Sequence, residues 1–282
     1  MNFNIGFVGA GRVGISLGKY FSINNLNLSG YYSKNANSAA TAAEFTKSNY
    51  FNDLKSLLQY SNLIFITTPD DVIKEIWNEL KEYNIKDKII CHASGSLSSS
   101  IFSNINTLGA FGYSIHPMCA FSNKFNTYKS LNQICFSIEG DDRYLQTLNN
   151  FLQKLGNKVI TLDKDKKPLY HLANVTVSNL VLSLLEIGCG YLLSCGISKE
   201  DAINALMPLI ENNINNIKNN GFLNSLTGPI ERGDLETVKH HLSVIPASDL
   251  ELYKRLSLNL ACLSEKKHTE KDYSMLKNEL HD

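Results

Sequence analysis

No C-x-x-C pair, no net charge, no basic leader and no internal repeat occur in this sequence of 282 residues. Each absence narrows the reading. The six cysteines (Cys91, Cys119, Cys135, Cys189, Cys195 and Cys262) are scattered. Without paired spacing they suggest neither a zinc site nor a disulfide framework, and they read as small hydrophobes of a reducing cytoplasm. Lysine and arginine total 27 against 27 acids, so the charge attraction that drives nucleic-acid binding is not expected. The chain enters an apolar run at once, with no basic segment and h-region ahead of it, so no secretory leader is expected. His240-His241 has no third ligand at metal spacing, and no metal is expected.

What is present begins at residue 9. The run Phe3–Val8 reads as a buried strand, and Ile15, Leu17, Tyr20 and Phe21 have helical spacing. Between them stands Gly9-Ala10-Gly11-Arg12-Val13-Gly14. Strand, G-x-G-x-x-G, helix is a dinucleotide-binding arrangement. Gly9 permits a tight turn, Gly11 lets backbone approach a pyrophosphate, and Gly14 lets helix and strand pack closely. The helix start then offers unpaired N–H groups to the phosphates.

A second absence bears on the cofactor. An NAD-preferring site places an acid at the end of the second strand, to hold the ribose hydroxyls. Here that strand ends in Tyr32-Ser33-Lys34. A hydroxyl and an ammonium suit a 2′-phosphate, and Arg12 can approach the same place. Two charged hydrogen bonds would shift preference by about a hundredfold or more, so NADP(H) is expected over NAD(H).

Seven strand-like runs (4–8, 28–32, 63–67, 88–92, 110–115, 135–139 and 158–162) alternate with helical patterns such as 70–83 and 141–155. Alternation of this kind predicts a mostly parallel α/β sheet covered on both faces, with the last strands possible antiparallel extensions. After the charged hinge 163–168 no strand signal recurs. A long helix is predicted from Pro168 to about Cys195, and Ser198-Lys199-Glu200-Asp201 resembles a capping box opening the next. Shorter helices are expected near 235–242, 247–263 and 270–280. The expected organisation is a Rossmann-type domain over 1–163 and an all-helical substrate-binding domain over 164–282, with a substrate cleft between them. The stretch from Val175 to Cys195 is apolar and long enough to span a bilayer. Ser178, Asn179, Ser183, Glu186 and the close-packing Gly188 and Gly190 instead suggest a buried helix and no membrane association.

Hydride transfer requires groups that position the nicotinamide, hold the substrate and hydrogen-bond the developing alkoxide. Thr67, Thr68 and Pro69 end one strand, with Thr68 expected as a helix N-cap and a backbone contact to the cofactor ribose compatible with it. Ser94, before Gly95, ends the next strand and is a candidate to face nicotinamide or substrate; His116 stands at a third strand end. Lys167, His171, Asn174, Ser178 and Asn179 fall mostly along one broad face of the predicted long helix. Lys167 is placed at its mouth to meet a carboxylate or phosphate, and a neutral His171 could polarise a carbonyl. In Leu226–Asp234, Thr227 and Arg232 are substrate-side candidates, Arg232 as a two-pronged donor to a carboxylate. Asp234 is expected to cap the following helix.

The glycine loop, His92-Ala93-Ser94-Gly95, Ile115-His116-Pro117, Tyr170-His171 with Ser178-Asn179, and Leu226–Asp234 followed by Thr237-Val238 and His241-Leu242 together carry a resemblance. The chain resembles a family of predicted oxidoreductases with a Rossmann-like N-terminal domain and a C-terminal helical domain, and more distantly the 6-phosphogluconate dehydrogenase-like enzymes. The resemblance implies reduction of a small carboxylated ketone, specifically 2-dehydropantoate to pantoate, and, with a long apolar helix that needs cover, a homodimer paired through the helical domain; the cysteines place it in the cytoplasm. The alternatives are an imine reductase of the pyrroline-5-carboxylate type and a non-catalytic NADPH-binding redox sensor. Conventional ketopantoate reductases carry a catalytic lysine with asparagines four and eight residues later. Here His171 and Asn179 keep the longer spacing with Val175 between them, so the lysine-centred mechanism does not carry over intact.

Overall fold

In the computed structural model, which describes residues 2–281, the chain forms two compact units, Met1–Ser183 and Leu184–Asp282. The first is built on an eight-stranded sheet: β1 (Asn4–Val8), β2 (Asn27–Tyr32), β3 (Asn49–Phe51), β4 (Leu63–Ile66), β5 (Ile89–His92), β6 (Phe111–Pro117), β7 (Cys135–Gly140) and β8 (Lys158–Thr161). Their spatial order is β3-β2-β1-β4-β5-β6-β7-β8. Neighbours are parallel except β6 and β7, where Ile115 faces Ile138 in an antiparallel ladder. Alternation in the sequence thus produced the predicted mostly parallel sheet, with its reversal near the far edge. β3 was not anticipated: three residues on an edge carry too little periodicity to register.

Helices α1 (Arg12–Ile23), α2 (Ala36–Thr46), α3 (Leu54–Tyr60), α4 (Asp70–Leu80) and α5 (Asp142–Lys154) accompany the strands. Strands buried on both faces need apolar residues at every position, and Leu63–Ile66 and Ile89–Cys91 supply them, at 0–1% exposure. One core gathers Phe7, Phe21, Tyr31 and Phe65, with Phe7 stacked on Tyr31 at 5.2 Å and on Phe65 at 5.6 Å. The other gathers Leu57, Ile64, Ile73, Trp77 and Ile90. The order reverses at β1, between β2 and β4, and this opens a crevice beyond the strands' C-terminal ends.

Toward the end of the first unit comes α6 (Lys167–Val177), which opens with Pro168 in its first turn. The predicted single long helix is two. Ser178 leaves helical geometry at φ −117°, ψ −74°, and α7 (Asn179–Ser194) starts beyond it. Ser178 Oγ donates back to Asn174 O at 2.7 Å, a bond of the kind that bends helices. The expected boundary at 163/164 follows the last strand, whereas the compact units divide at 183/184, inside α7.

The second unit holds α8 (Lys199–Ser225), α9 (Pro229–Arg232), α10 (Leu235–Val244), α11 (Leu250–Lys267) and α12 (Ser274–His281). Its small core contains Ile230, Val238, Ala261, Leu276 and Leu280. Ser198 caps α8, its Oγ accepting from Asp201 N at 3.1 Å, and Asp234 caps α10 by accepting from Thr237 N at 3.1 Å, both as the sequence suggests. Glu231 is clamped by Lys267 at 3.0 Å and His268 at 2.6 Å.

One expectation fails here. α7 contains no buried residue, and Leu180 and Leu182 are 54% and 67% exposed. The 164–194 stretch is long and apolar enough to cross a membrane, its most apolar 18-residue window having mean hydropathy 1.5. Apolarity showed that this helix needs cover, but not that the same chain provides it.

Candidate active site

The glycine loop takes the conformation its residues require. Gly9 lies at φ 103°, in the left-handed region that disfavours side chains. Its N–H donates to Tyr32 O at 2.8 Å and its carbonyl accepts from Thr67 Oγ1 at 2.9 Å, tying β1, β2 and β4 to one turn. A Cβ on Gly14 would stand 2.4 Å from Gly9 O and 2.5 Å from Thr67 Oγ1, so only glycine fits where α1 crosses the strands. Gly11 differs: nothing lies within 4 Å of where its Cβ would be. It is the N-cap of α1 and offers no side-chain cap, so the first N–H groups face open space above an exposed Gly11 and Arg12.

Beside this turn is a small hollow lined by Gly9, Tyr32, Ser33, Lys34, Thr68 and Pro69, among others. It brings the glycine loop together with the predicted 2′-phosphate residues. Lys34 Nζ rests on Glu75 Oε1 at 2.6 Å; both side chains are exposed, and the carboxylate raises the lysine's pKa. Thr68 is not the expected cap. Pro69 is the N-cap of α4, without a side-chain bond, and Thr68 Oγ1 is buried with no partner. An orphaned hydroxyl against an open helix start is what a bound polar ligand would satisfy.

Farther along the same sheet edge lies a second cluster. His92 ends β5 at 0% exposure, and its Nδ1 accepts from Ser94 N at 3.3 Å. Ser94 Oγ donates to Asp70 Oδ2 at 2.7 Å and accepts from Ser96 N and Leu97 N. The hydroxyl expected to face a ligand therefore builds the turn, because two backbone N–H groups and a carboxylate claim it first. Ser96 Oγ donates to the same Asp70 oxygen at 2.6 Å.

Lys167 also departs from expectation. It is 1% exposed rather than standing at a solvent-facing mouth. Its Nζ donates to Ser114 Oγ at 2.8 Å and to Ser94 O at 3.2 Å, joining α6 to β6 and to the turn after β5. Burial brings its pKa down to about 8, against Glu139 and Asp70, which hold it up. Glu139 is buried too and accepts from Ser99 N and Ser99 Oγ, both at 2.7 Å. A lysine buried and bonded in this way is an anchor and a fixed positive charge, not a ready ligand for a substrate carboxylate.

His116, half-buried on β6, meets the Tyr170 hydroxyl through Nδ1 at 2.7 Å. A Cβ on Gly95 would lie 2.9 Å from His116 Nε2 and 3.0 Å from His171 Cδ2. Two imidazoles from different elements thus meet over a position that has no side chain. Desolvation, then Lys167 and then His171 lower the His116 pKa to about 4; desolvation chiefly lowers that of His92 to the same value, with Lys167 adding to it. Both imidazoles are neutral at neutral pH.

Of the helical candidates, the structure gathers His171 and Lys167 with His116 and Gly95. Asn174, Ser178 and Asn179 form a chain of their own: Asn174 Nδ2 donates to Tyr170 O, and Ser178 Oγ contacts both Asn174 O and Asn179 Oδ1. Thr227 and Arg232 belong to the second unit and are exposed, Arg232 lying 4.0 Å from Asp234. His241 Nδ1 meets the Tyr253 hydroxyl at 3.0 Å, and no group of three or more His, Cys, Asp or Glu side chains is placed to hold a metal among the described residues. Tyr170, Gly95 and Glu139 were not singled out for site roles from the sequence; Tyr170 carried a faint signal, one helical turn after Lys167 and next to His171.

Comparison with known proteins agrees with this architecture. Residues 1–117 match a Rossmann-like domain, and residues 134–260 match a domain of unknown function, DUF2520. Protein TM1727 from Thermotoga maritima superposes with TM-score 0.73 at 27% identity, over 94% of this chain and 99% of that one. An imine reductase from a Pseudomonas species gives TM-score 0.66 at 16% identity, over 93% and 98%. The Plasmodium falciparum pyrroline carboxylate reductase with NADP bound gives 0.61 at 14%, over 95% and 98%. No curated protein matches the chain by sequence. The fold is therefore one shared with NADP-using reductases.

Proposed function

For a chain that joins a Rossmann-like domain to a DUF2520 domain, we propose an NADPH-dependent reductase of a small carboxylated ketone, most specifically 2-dehydropantoate to pantoate. One observation carries this reading. The open, uncapped glycine loop and the His116 and His171 imidazoles stand along the same C-terminal sheet edge, where ligands of open α/β sheets bind. The carboxylated ketone is supported by the motif resemblance, and the reductase class by the fold.

The residues present suit the cofactor. Gly11 leaves room for a diphosphate against the first N–H groups of α1; Thr68 Oγ1 lacks a partner; Arg12, Ser33 and Lys34 supply donors for a 2′-phosphate. NADPH, when bound, supplies the hydride. His116 and His171 bring imidazoles to the carbonyl oxygen, and Lys167 holds the Ser94–Gly95 turn in place from beneath. The oxygen gains one proton, so a ketone, NADPH and a proton become an alcohol and NADP+.

Purified protein mixed with NADPH and 2-dehydropantoate is expected to consume NADPH absorbance. Turnover of pyrroline-5-carboxylate alone would move the assignment to imine reduction, and tight NADPH binding with turnover of neither would make the protein a sensor. Lys34→Asp is expected to weaken NADPH roughly tenfold or more while sparing NADH. Unchanged NADPH affinity, measured by titration calorimetry, would remove Lys34 from the cofactor site.

The protein is further proposed to be a soluble cytoplasmic homodimer in which a second copy covers the apolar side chains of α7 and α8, including Leu180, Leu182, Met207 and Leu209. Light scattering is expected to give twice the 31.5 kDa chain mass, and a monomer at micromolar concentration would refute the pairing.

A further inference from the structure

We infer that Tyr170 is a positioning residue. Its hydroxyl fixes His116 as the Nε2–H tautomer, so that His116, packed beside Gly95, is the hydrogen-bond donor to the substrate's carbonyl oxygen. This rests on the reductase reading and makes it more specific: several polar groups line the edge, and the geometry selects one.

The argument starts at the 2.7 Å contact between Tyr170 Oη and His116 Nδ1. A neutral imidazole has one N–H and one lone-pair nitrogen, and the partner of one nitrogen decides the state of the other. A phenol is a stronger donor than an imidazole N–H, and an imidazole nitrogen is a better acceptor than a phenol oxygen. The pair is therefore best made as O–H···Nδ1, leaving the proton on Nε2. Burial keeps Tyr170 a phenol by raising its pKa.

Among the described residues none bonds His116 Nε2, and a Gly95 Cβ would come within 2.9 Å of it. Any side chain at position 95 would cover the donor. Neutrality is held by what surrounds the ring: the Lys167 ammonium, bonded to Ser94 O and Ser114 Oγ, and the His171 imidazole both disfavour a second proton, while Asp70 opposes them from beyond Ser94. The same helix thus supplies both controls, since Lys167 and Tyr170 are three residues apart on α6. Its ammonium lies 5.2 Å from the Tyr170 ring centre. A neutral N–H donor suits a carbonyl becoming an alkoxide, because it is fixed before reaction and needs no reorganisation.

Nitrogen-15 NMR of the histidine side chains tests this. His116, assigned by its loss in His116→Gln, is expected to show a protonated Nε2 and a bare Nδ1 at neutral pH. An Nδ1–H tautomer, or an imidazolium, would overturn the inference. This measurement needs no substrate, so it stands or falls apart from the reductase reading. Tyr170→Phe is expected to mix the two tautomers and to lower kcat roughly tenfold or more, with NADPH affinity unchanged. A merely structural tyrosine would alter stability and leave tautomer and kcat together unmoved. Gly95→Ala is the second variant: it is expected to keep the wild-type tautomer and still lose turnover, because the new methyl group covers Nε2. Full turnover in Gly95→Ala would refute His116 as the carbonyl donor.

Discussion

Gly11→Ala and Gly14→Ala are each expected to weaken dinucleotide binding by roughly a hundredfold, the loss of about two charged hydrogen bonds. Only Gly14→Ala is expected also to destabilise the fold. The difference follows from their surroundings. A methyl on Gly14 would stand 2.4 Å from a backbone carbonyl and 2.5 Å from the Thr67 hydroxyl. The carbonyl cannot yield without moving the loop, the hydroxyl only by giving up its bond to Gly9 O, and overpacking of this kind costs about 1–3 kcal/mol. A methyl on Gly11 meets nothing within 4 Å, and Gly11 has φ −80°, which alanine accepts. Its only effect is to fill the space above the first N–H groups of α1. Denaturant melts and NADPH calorimetry on the pair separate packing from ligand contact. If Gly11→Ala bound NADPH as the wild type does, the diphosphate would not lie on this helix start.

Acidification is the second large effect. His92 and His116 have pKa values of about 4 in the folded chain against an ordinary 6.5, chiefly through desolvation. Between those values the unfolded chain binds protons that the folded chain refuses, so stability rises with pH across the window. It is complete above about pH 6.5 and drains away as pH falls toward 4, by up to roughly 3 kcal/mol for each histidine. Asp53, Asp234 and Asp272 have lowered carboxyl pKa values, so they titrate below this range and do not mimic it. Urea unfolding followed from neutral pH to about pH 5 is expected to show the slope. His92→Gln, which cannot titrate, is expected to lose its share. An equal slope in that variant would mean that His92 is protonated inside the fold, contrary to its 0% exposure.

These two results bear on different levels of legibility. The glycine loop could be read in full, because each glycine answers a local demand: a left-handed turn at 9, open space at 11, a close crossing at 14. The sheet could be read for a similar reason, since strands buried on both faces leave apolar runs in the sequence. Helix starts at Ser198 and Asp234 needed only a side chain and an N–H three residues on. By contrast, Lys167 and Ser94 were misplaced. In the sequence each is a polar residue at an element's end, where solvent or ligand is the ordinary neighbour. In the fold Lys167 is an anchor reaching 73 residues back to Ser94, and Ser94 is consumed by Asp70 and its own turn.

What the sequence determined by itself, then, is whatever acts over a few residues: period, turn, cap and the open space beside Gly11 in the first loop. What only the tertiary structure decided is which polar groups share one small volume. His116, Tyr170, Gly95 and His171 come from a strand, a helix and a turn, and their meeting depends on how β5, β6 and α6 are packed. The tautomer and charge of a histidine are set by neighbours within a few ångströms, and those neighbours are distant in the chain. Hydrogen bonding and desolvation act through space, so no spacing rule along the backbone could have shown them.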